Sequence, residues 1–260
     1  MYISIDVGGT NTRVAGARGL EAPNFVDEPI KRRNMHEFDT DLEFMIDSAL
    51  KIAQKETIQA IGIGTPGSPN DERTEIVSVK NLSSWIGKPL VSSLSESLGC
   101  PVYYENDVVA AAFGEVFYGS NEDNFDYIVW GTGVGGARAG SNSSRTDVTV
   151  ESISWSEQFR EWEMSMGGSE LSKIYGKQPE EFDDKDWERV KNEFKHNLRA
   201  YIATKRPQAI VFGGGLAVRH KDWISEIDKE SEISIATTSF EEVGGLVGGL
   251  GLIRRSITPG

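Results

Sequence analysis

Two glycine-tipped strand hairpins, roughly half the chain apart, constrain the fold of this 260-residue sequence more than any other feature. In the first, residues 2–7 alternate, break at Gly8-Gly9, and resume an extended pattern at Arg13-Val-Ala-Gly-Ala. In the second, Tyr127-Ile-Val-Trp runs into the glycine turn Gly131–Gly136, and Ala137-Arg-Ala-Gly reads as the returning strand. Ile5-Asp-Val-Gly-Gly-Thr and Val129-Trp-Gly-Thr-Gly-Val-Gly-Gly both set glycine and threonine at the tip. Such a repeat predicts two related lobes facing a cleft. No low-complexity linker separates them, so the boundary rests on the repeat alone. The expected division is an N-terminal lobe over 1–108, a larger lobe over 109–245, and a C-terminal helix, 246–260, packed on the first lobe.

Between the hairpins, helices and strands alternate. Helical spacing covers 41–55 and 89–98, and Ala60-Ile-Gly-Ile-Gly and Pro101-Val-Tyr-Tyr-Glu read as strands. Asn106-Asp107 opens a helix from about 108 to 118. Further helices are expected over 169–176, 186–204 and 243–255, with a strand at Gln208-Ala-Ile-Val-Phe. The mixture gives an α/β class.

Composition removes several function classes. The net charge of −13 argues against nucleic acid as a partner. No run of about 18 apolar residues occurs, so no membrane span is expected. Met1-Tyr-Ile-Ser-Ile-Asp enters a strand pattern at once, which predicts no signal peptide and a cytoplasmic location. One cysteine, Cys100, and three dispersed histidines, His36, His196 and His220, offer no zinc-ligand spacing.

The residues with chemical promise sit at turns. In Asp6-Val-Gly-Gly-Thr-Asn-Thr, the glycines let backbone N–H groups approach a phosphate, Thr10 and Thr12 add hydroxyls, and Asp6 is placed for a hydrated magnesium ion. A plain hairpin would need the glycines for their dihedral freedom alone. Gly131-Thr-Gly-Val-Gly-Gly matches G-x-G-x-x-G, but no helix start follows, so a dinucleotide fold fails on context. A second phosphate clamp is preferred to a plain turn. Glu105-Asn106-Asp107 ends a strand and opens a helix, where Asn or Asp caps and a carboxylate also suits the base of phosphoryl transfer. Phe212-Gly-Gly-Gly-Leu leaves flat space for an adenine ring, or is an ordinary strand-to-helix turn. The glycines of Gly244-Gly-Leu-Val-Gly-Gly-Leu-Gly suit close backbone packing in a helix.

In order, these elements resemble the ROK family of sugar kinases and regulators. The resemblance runs through Asp6-Val-Gly-Gly-Thr-Asn, Gly64-Thr-Pro-Gly, Asn81-Leu-Ser-Ser-Trp, Glu105-Asn-Asp, Gly131-Thr-Gly-Val-Gly-Gly and Phe212-Gly-Gly-Gly-Leu. It implies a two-lobed actin-like ATPase (ribonuclease H-like) fold with a central cleft. It also implies that Asp6, Gly8, Gly9, Thr10, Asn11 and Thr12, with Thr132, Gly133 and Gly135, border the phosphates. Gly213, Gly214, Gly215 and Leu216 would border the adenosine, and Thr65, Pro66 and Gly67 the sugar. Asn106 and Asp107 would bind sugar hydroxyls, with Asp107 the general base.

The sequence departs from the family between 137 and 170. The family's Glu-x-Gly-His is matched only by Glu151-Ser-Ile-Ser154, with serine in place of histidine, and the zinc cysteines are absent. Trp162-Glu163-Met-Ser-Met-Gly-Gly resembles the segment that follows them, which makes Glu163 the best match to the family's second sugar-binding glutamate. The resemblance implies a glucokinase-like hexose kinase using ATP and Mg2+, with polyphosphate as another donor, no structural zinc, and an oligomeric state compatible with a homodimer. The alternative is a catalytically silent sugar or nucleotide sensor. An oxidoreductase would rest on the rejected G-x-G-x-x-G alone.

Overall fold

The computed structural model of the chain describes residues 1–80, 82–120, 122–141, 148–153 and 157–257. Asn81 and Ser154, both singled out above, lie outside the described residues.

The chain forms two compact units, one built from Met1–Gly119 with the stretch from Val243, the other from the chain between them. The first begins with β1 (Tyr2–Val7), β2 (Asn11–Ala17), β3 (Ile30–Arg33), α1 (Phe38–Ala53) and β4 (Ala60–Thr65). A short ribbon of β5 (Ser68–Pro69) and β6 (Ile76–Ser78) precedes α2 (Leu90–Leu98), β7 (Val102–Asn106) and α3 (Asp107–Gly114). Its sheet has the order β3-β2-β1-β4-β7. β1, β2 and β3 run antiparallel, while β1, β4 and β7 are parallel. Ile3, Ile5, Ile61 and Ile63, all fully buried, form the core with Met45, Leu94 and Trp85.

The second unit contains β8 (Phe125–Trp130), β9 (Val134–Ser141), β10 (Val148–Ser152), α4 (Glu157–Met166), α5 (Gly168–Tyr175) and α6 (Asp184–Lys205). β11 (Ala209–Gly213), α7 (Gly215–Arg219), α8 (Lys221–Asp228) and β12 (Ser234–Thr237) complete it. Its sheet order, β10-β9-β8-β11-β12, reproduces the first sheet strand for strand, with the same antiparallel and parallel halves. The repeat seen at two turns is thus a repeat of whole sheets. An aromatic core of Trp130, Phe159, Trp162, Phe194, Tyr201 and Phe212 packs against this sheet.

The final helix, α9 (Gly244–Ile257), returns to the first unit. Its Gly248 and Gly251 face backbone. A methyl on Gly248 would strike the Ala110 peptide, and one on Gly251 the Phe113 peptide, so α9 packs on α3 main chain to main chain. Gly62 of β4 faces Gly249 in the same way, and the Ser4 hydroxyl donates to the Leu246 carbonyl at 2.5 Å. This contact sets α3 in the first unit up to Gly119, beyond the expected boundary at 108. The expected helix to 118 is α-helical to Gly114 and continues as a π turn over Glu115–Gly119.

The sequence reading assigned no element to β3, β10, α4, α8 or β12. β3 (Ile-Lys-Arg-Arg) carries no alternation of apolar residues. α4 does carry a signal: Phe159, Trp162 and Met166 recur at helical spacing and are all buried.

Candidate active site

The first unit gathers its candidate residues around the C-terminal ends of the parallel strands. Asp107 is the first residue of α3, directly after β7. Gly64 in the neighbouring strand permits the approach, because a Cβ there would lie 3.3 Å from the Asp107 Cα. Burial, then the nearby charge of Asp6, push the Asp107 carboxyl up to about 6, against hydrogen bonds from Val108, its own N–H and Asn106. Asp6, at the end of β1, is also raised by burial, with Arg13 across the hairpin opposing. Its carboxylate lies against Gly245 in the first turn of α9, where any side chain would collide with it.

Asn106 is a helix cap before it is anything else. Its Oδ1 accepts from the Val108 and Val109 N–H groups at 3.1 and 3.3 Å, and its Nδ2 donates to the Gly67 carbonyl at 2.8 Å. The other Nδ2 hydrogen is directed to the Asp107 carboxylate, since an amide carries two. Glu105 braces the same corner, with Oε1 accepting the Asn106 N–H at 2.9 Å and Oε2 pairing with Arg73 at 2.8 Å. Gly67, at φ +95°, and Pro66 are partly accessible. Thr65 corrects the expectation: it is fully buried, and its hydroxyl donates to the Tyr104 hydroxyl at 3.1 Å. Its side chain is committed inside the fold.

The first glycine turn closes with the Gly8 N–H donating to the Asn11 carbonyl at 2.9 Å. Gly9 faces open space and Thr10 is exposed. Thr12 is a second correction: it is buried, and its hydroxyl donates to Asn34, a residue the sequence reading missed. Asn34 carried no local signal, because its partners lie more than 20 residues away in the chain.

In the second unit the glycine turn is shorter than expected. It spans 131–133, and Gly135 lies within β9, paired with Val129, so Gly135 is a strand position and no part of the turn. Gly136, also in β9, is glycine because the Phe159 ring packs on its Cα. The N-terminus of α5 holds the turn: the Gly168 N–H donates to the Gly131 carbonyl at 2.8 Å and the Ser169 N–H to the Thr132 carbonyl at 3.0 Å. Peptide carbonyls and the following N–H groups point to opposite sides, so the Thr132 and Gly133 N–H groups face away from α5. Glu163 of α4 sits beside this turn, its Oε1 3.1 Å from where a Gly133 Cβ would be.

The strand-to-helix turn after β11 meets the same region. Gly214, at φ +90°, packs on the Trp130 backbone, and Gly215 is exposed with open space at its Cα. Gly213 and Leu216 are buried, the first under the Tyr127 ring and the second against Gly168, so their side-chain positions serve packing. Glu151, on β10, is exposed and stands in register with Arg138, which pairs with Asp126 at 2.7 Å. The described contacts place Glu163 with the glycine turn and Glu151 with this charged row.

Two sheets of one topology, each with a glycine-turned hairpin at its start, define the two-lobed actin-like ATPase fold. Among solved structures, the chain superposes on a ROK family glucokinase from Streptomyces griseus, in complex with glucose and AMPPNP, with a TM-score of 0.79 at 19% identity, covering 96% of this chain and 98% of that one. An inorganic polyphosphate/ATP-glucomannokinase from Arthrobacter sp. strain KM gives 0.72 at 18% identity, over 98% of both chains. The chain belongs to the ROK family, whose family model matches residues 2–145. It is 33% identical over 144 residues to a glucokinase from Streptomyces coelicolor, covering 52% of this chain and 42% of the relative. It is 32% identical over 145 residues to an N-acetyl-D-glucosamine kinase from Histophilus somni, covering 52% and 45%. The aligned stretch thus spans less than half the length of these curated relatives. No helix among the described residues is long and apolar enough to cross a membrane.

Proposed function

We propose that this chain transfers a phosphoryl group from a nucleotide to a hydroxyl of a hexose or hexose derivative, with Asp107 as general base. The observation that carries the reading is the Asp107 carboxyl at a strand end, raised to about 6 by burial and by Asp6. A base with that pKa is ionised at neutral pH and still holds a proton well enough to draw it from a hydroxyl. The hydroxyl oxygen then attacks the terminal phosphorus, the bond to the nucleotide breaks, and Asp107 keeps the proton.

Asn106, bonded to both Gly67 and the Asp107 carboxyl, holds the base beside the sugar hydroxyl, and Pro66 and Gly67 border the sugar. Gly8, Gly9, Thr10 and Asn11 supply phosphate contacts from backbone N–H groups, and Thr132 and Gly133 of the second glycine turn are candidates for the same role. Gly214 and Gly215 offer a flat edge to the adenine. Glu163 and Glu151 remain the candidate sugar-binding glutamates.

The carboxylates of Asp6 and Asp107 raise one another's need for a counter-charge, so Asp6 suits a hydrated magnesium ion. Such an ion, when bound, neutralises charge on the phosphate oxygens.

The likeness to glucokinases and N-acetylglucosamine kinases supports a hexose acceptor, and the Arthrobacter enzyme makes polyphosphate a second donor to test. A coupled assay over hexoses and N-acylhexosamines, with ATP and polyphosphate, decides. Turnover with at least one sugar, abolished in Asp107→Asn, supports the reading. Equal rates in wild type and variant overturn the base assignment.

A further inference from the structure

The first glycine turn is braced by a residue that lies outside it in the sequence. Asn34 follows β3 and is 3% exposed. All three of its bonding groups seen here go to the hairpin. Its Nδ2 donates to the Gly8 carbonyl, its Oδ1 accepts from the Thr12 hydroxyl, and its N–H donates to the Thr10 carbonyl at 2.9 Å. The Gly8 carbonyl accepts only, so the amide nitrogen must face it, and the oxygen is left for Thr12.

This bracing fixes more than the position of the turn. In a trans peptide the carbonyl and the next N–H point to opposite sides. By drawing the Gly8 carbonyl inward, Asn34 turns the Gly9 N–H outward. That N–H has no partner among the described residues, and the space beside the Gly9 Cα is open. A Gly-Gly peptide has no side chain to resist flipping. Once flipped it would present a carbonyl oxygen, which repels phosphate.

We propose that Asn34 is a positioning residue for phosphate recognition, holding the Gly8–Gly9 peptide with its N–H toward the donor phosphates. The proposal rests on reading this turn as a phosphate site. The second unit reaches the same arrangement differently, with the N-terminus of α5 tying back the Gly131 and Thr132 carbonyls. Asn34 does for one turn what a helix terminus does for the other.

The test is equilibrium binding of AMPPNP with Mg2+ to the full chain, without sugar, at about pH 5.5 and about pH 8. In Asn34→Asp the protonated acid keeps one donor for Gly8 and one acceptor for Thr12. Once ionised, it sets a carboxylate oxygen against the Gly8 carbonyl, and burial pushes that ionisation above the usual carboxylate range. Affinity near wild type at the lower pH, falling at least about tenfold further than wild type does by the higher, is the expected result. Asn34→Ser, too short to reach both partners, is expected to bind about tenfold more weakly at both values. Arg33, His36, the Arg32–Asp41 pair, and Asp6 and Arg13 of the hairpin are common to all three proteins, so wild type titrated in parallel removes their contribution.

Wild-type affinity in both variants overturns the positioning role and leaves the phosphate reading standing. A loss in Asn34→Asp that does not change with pH overturns the peptide-orienting account. Should Asn34→Asp fail to fold, Asn34→Ser decides: weaker binding at an unchanged melting temperature supports the proposal, and unchanged binding ends it. A wild-type chain that binds no nucleotide overturns the phosphate reading itself, and this proposal with it.

Discussion

Asp6 lies one residue before the end of β1 and Asp107 opens α3, and the charge on the first helps raise the second's carboxyl to about 6. The two elements are brought together by glycine. Gly64 lets α3 approach β4, and Gly245 lets the first turn of α9 lie against the Asp6 carboxylate. Arg13 opposes the rise in Asp6 without cancelling it, so this corner holds buried negative charge at a cost in stability.

Asp107→Asn is expected to reduce kcat by about three orders of magnitude, the range over which a positioned general base contributes. Asn keeps an acceptor for the Val108 N–H, so the helix start survives. Wild-type kcat/KM should rise with pH through about 6 as Asp107 ionises, and level off above it. A pH–rate profile in the coupled assay checks both, and a flat profile would count against the assignment.

The same substitution should stabilise the protein at neutral and alkaline pH. A carboxyl raised from about 4 to about 6 binds its proton more tightly in the folded chain, so stability is full below the lower value and falls as pH rises through the higher. Asp107→Asn removes that loss, worth about 2 kcal/mol after allowing for partial exposure. Calorimetric melts of wild type and variant should coincide at about pH 4 and separate at about pH 8, the variant melting higher.

Gly62→Ala and Gly9→Ala should have opposite effects on stability and binding. A methyl on Gly62 meets the Gly249 carbonyl, backbone that cannot move aside without undocking α9. The expected cost is about 3 kcal/mol or more, or failure to fold. A methyl on Gly9 meets nothing within 4 Å, so stability should change by less than about 0.5 kcal/mol. That methyl occupies the open side of the turn, so nucleotide affinity should fall. Denaturant melts and AMPPNP titrations on both variants separate the roles.

What the sequence made legible follows from how local each signal is. Gly8-Gly9 and Gly214 act through their own backbone, and Asn106 caps the N–H groups just after it, so these local roles show in a few adjacent letters. Side chains that act across the fold do not show in this way. Thr12 read as an available hydroxyl and Thr65 as part of the sugar pocket wall, and only the fold reveals Asn34 and Tyr104 as their partners. Gly135 looked like part of a glycine turn, because a glycine in a strand and one in a loop are the same letter. The repeat was visible at two hairpins, but the matching sheet orders depend on β3, β10 and β12, strands with little apolar alternation.

His220 provides a pH dependence of the opposite sign in the other unit. Its ring is buried, stacked on Trp223 at 3.9 Å and near Trp187 at 4.2 Å, and its Nε2 has no hydrogen-bond partner among the described residues. Burial, then the charge of Arg219, pull its pKa down to about 4. Below about 6.5 the unfolded chain takes up a proton that the folded chain refuses, so stability falls as pH drops toward 4. Over the same interval Asp107 makes the first unit more stable. The contributions can be told apart because Trp130, Trp162, Trp187 and Trp223 lie in the second unit, while Trp85 lies in the first. His220→Phe keeps a flat ring in the stack and removes the proton site. Wild type should lose about 2 kcal/mol between about pH 6.5 and pH 4 by tryptophan fluorescence melts, and His220→Phe should lose little. An equal acid loss in the variant would show that the histidine does not set it.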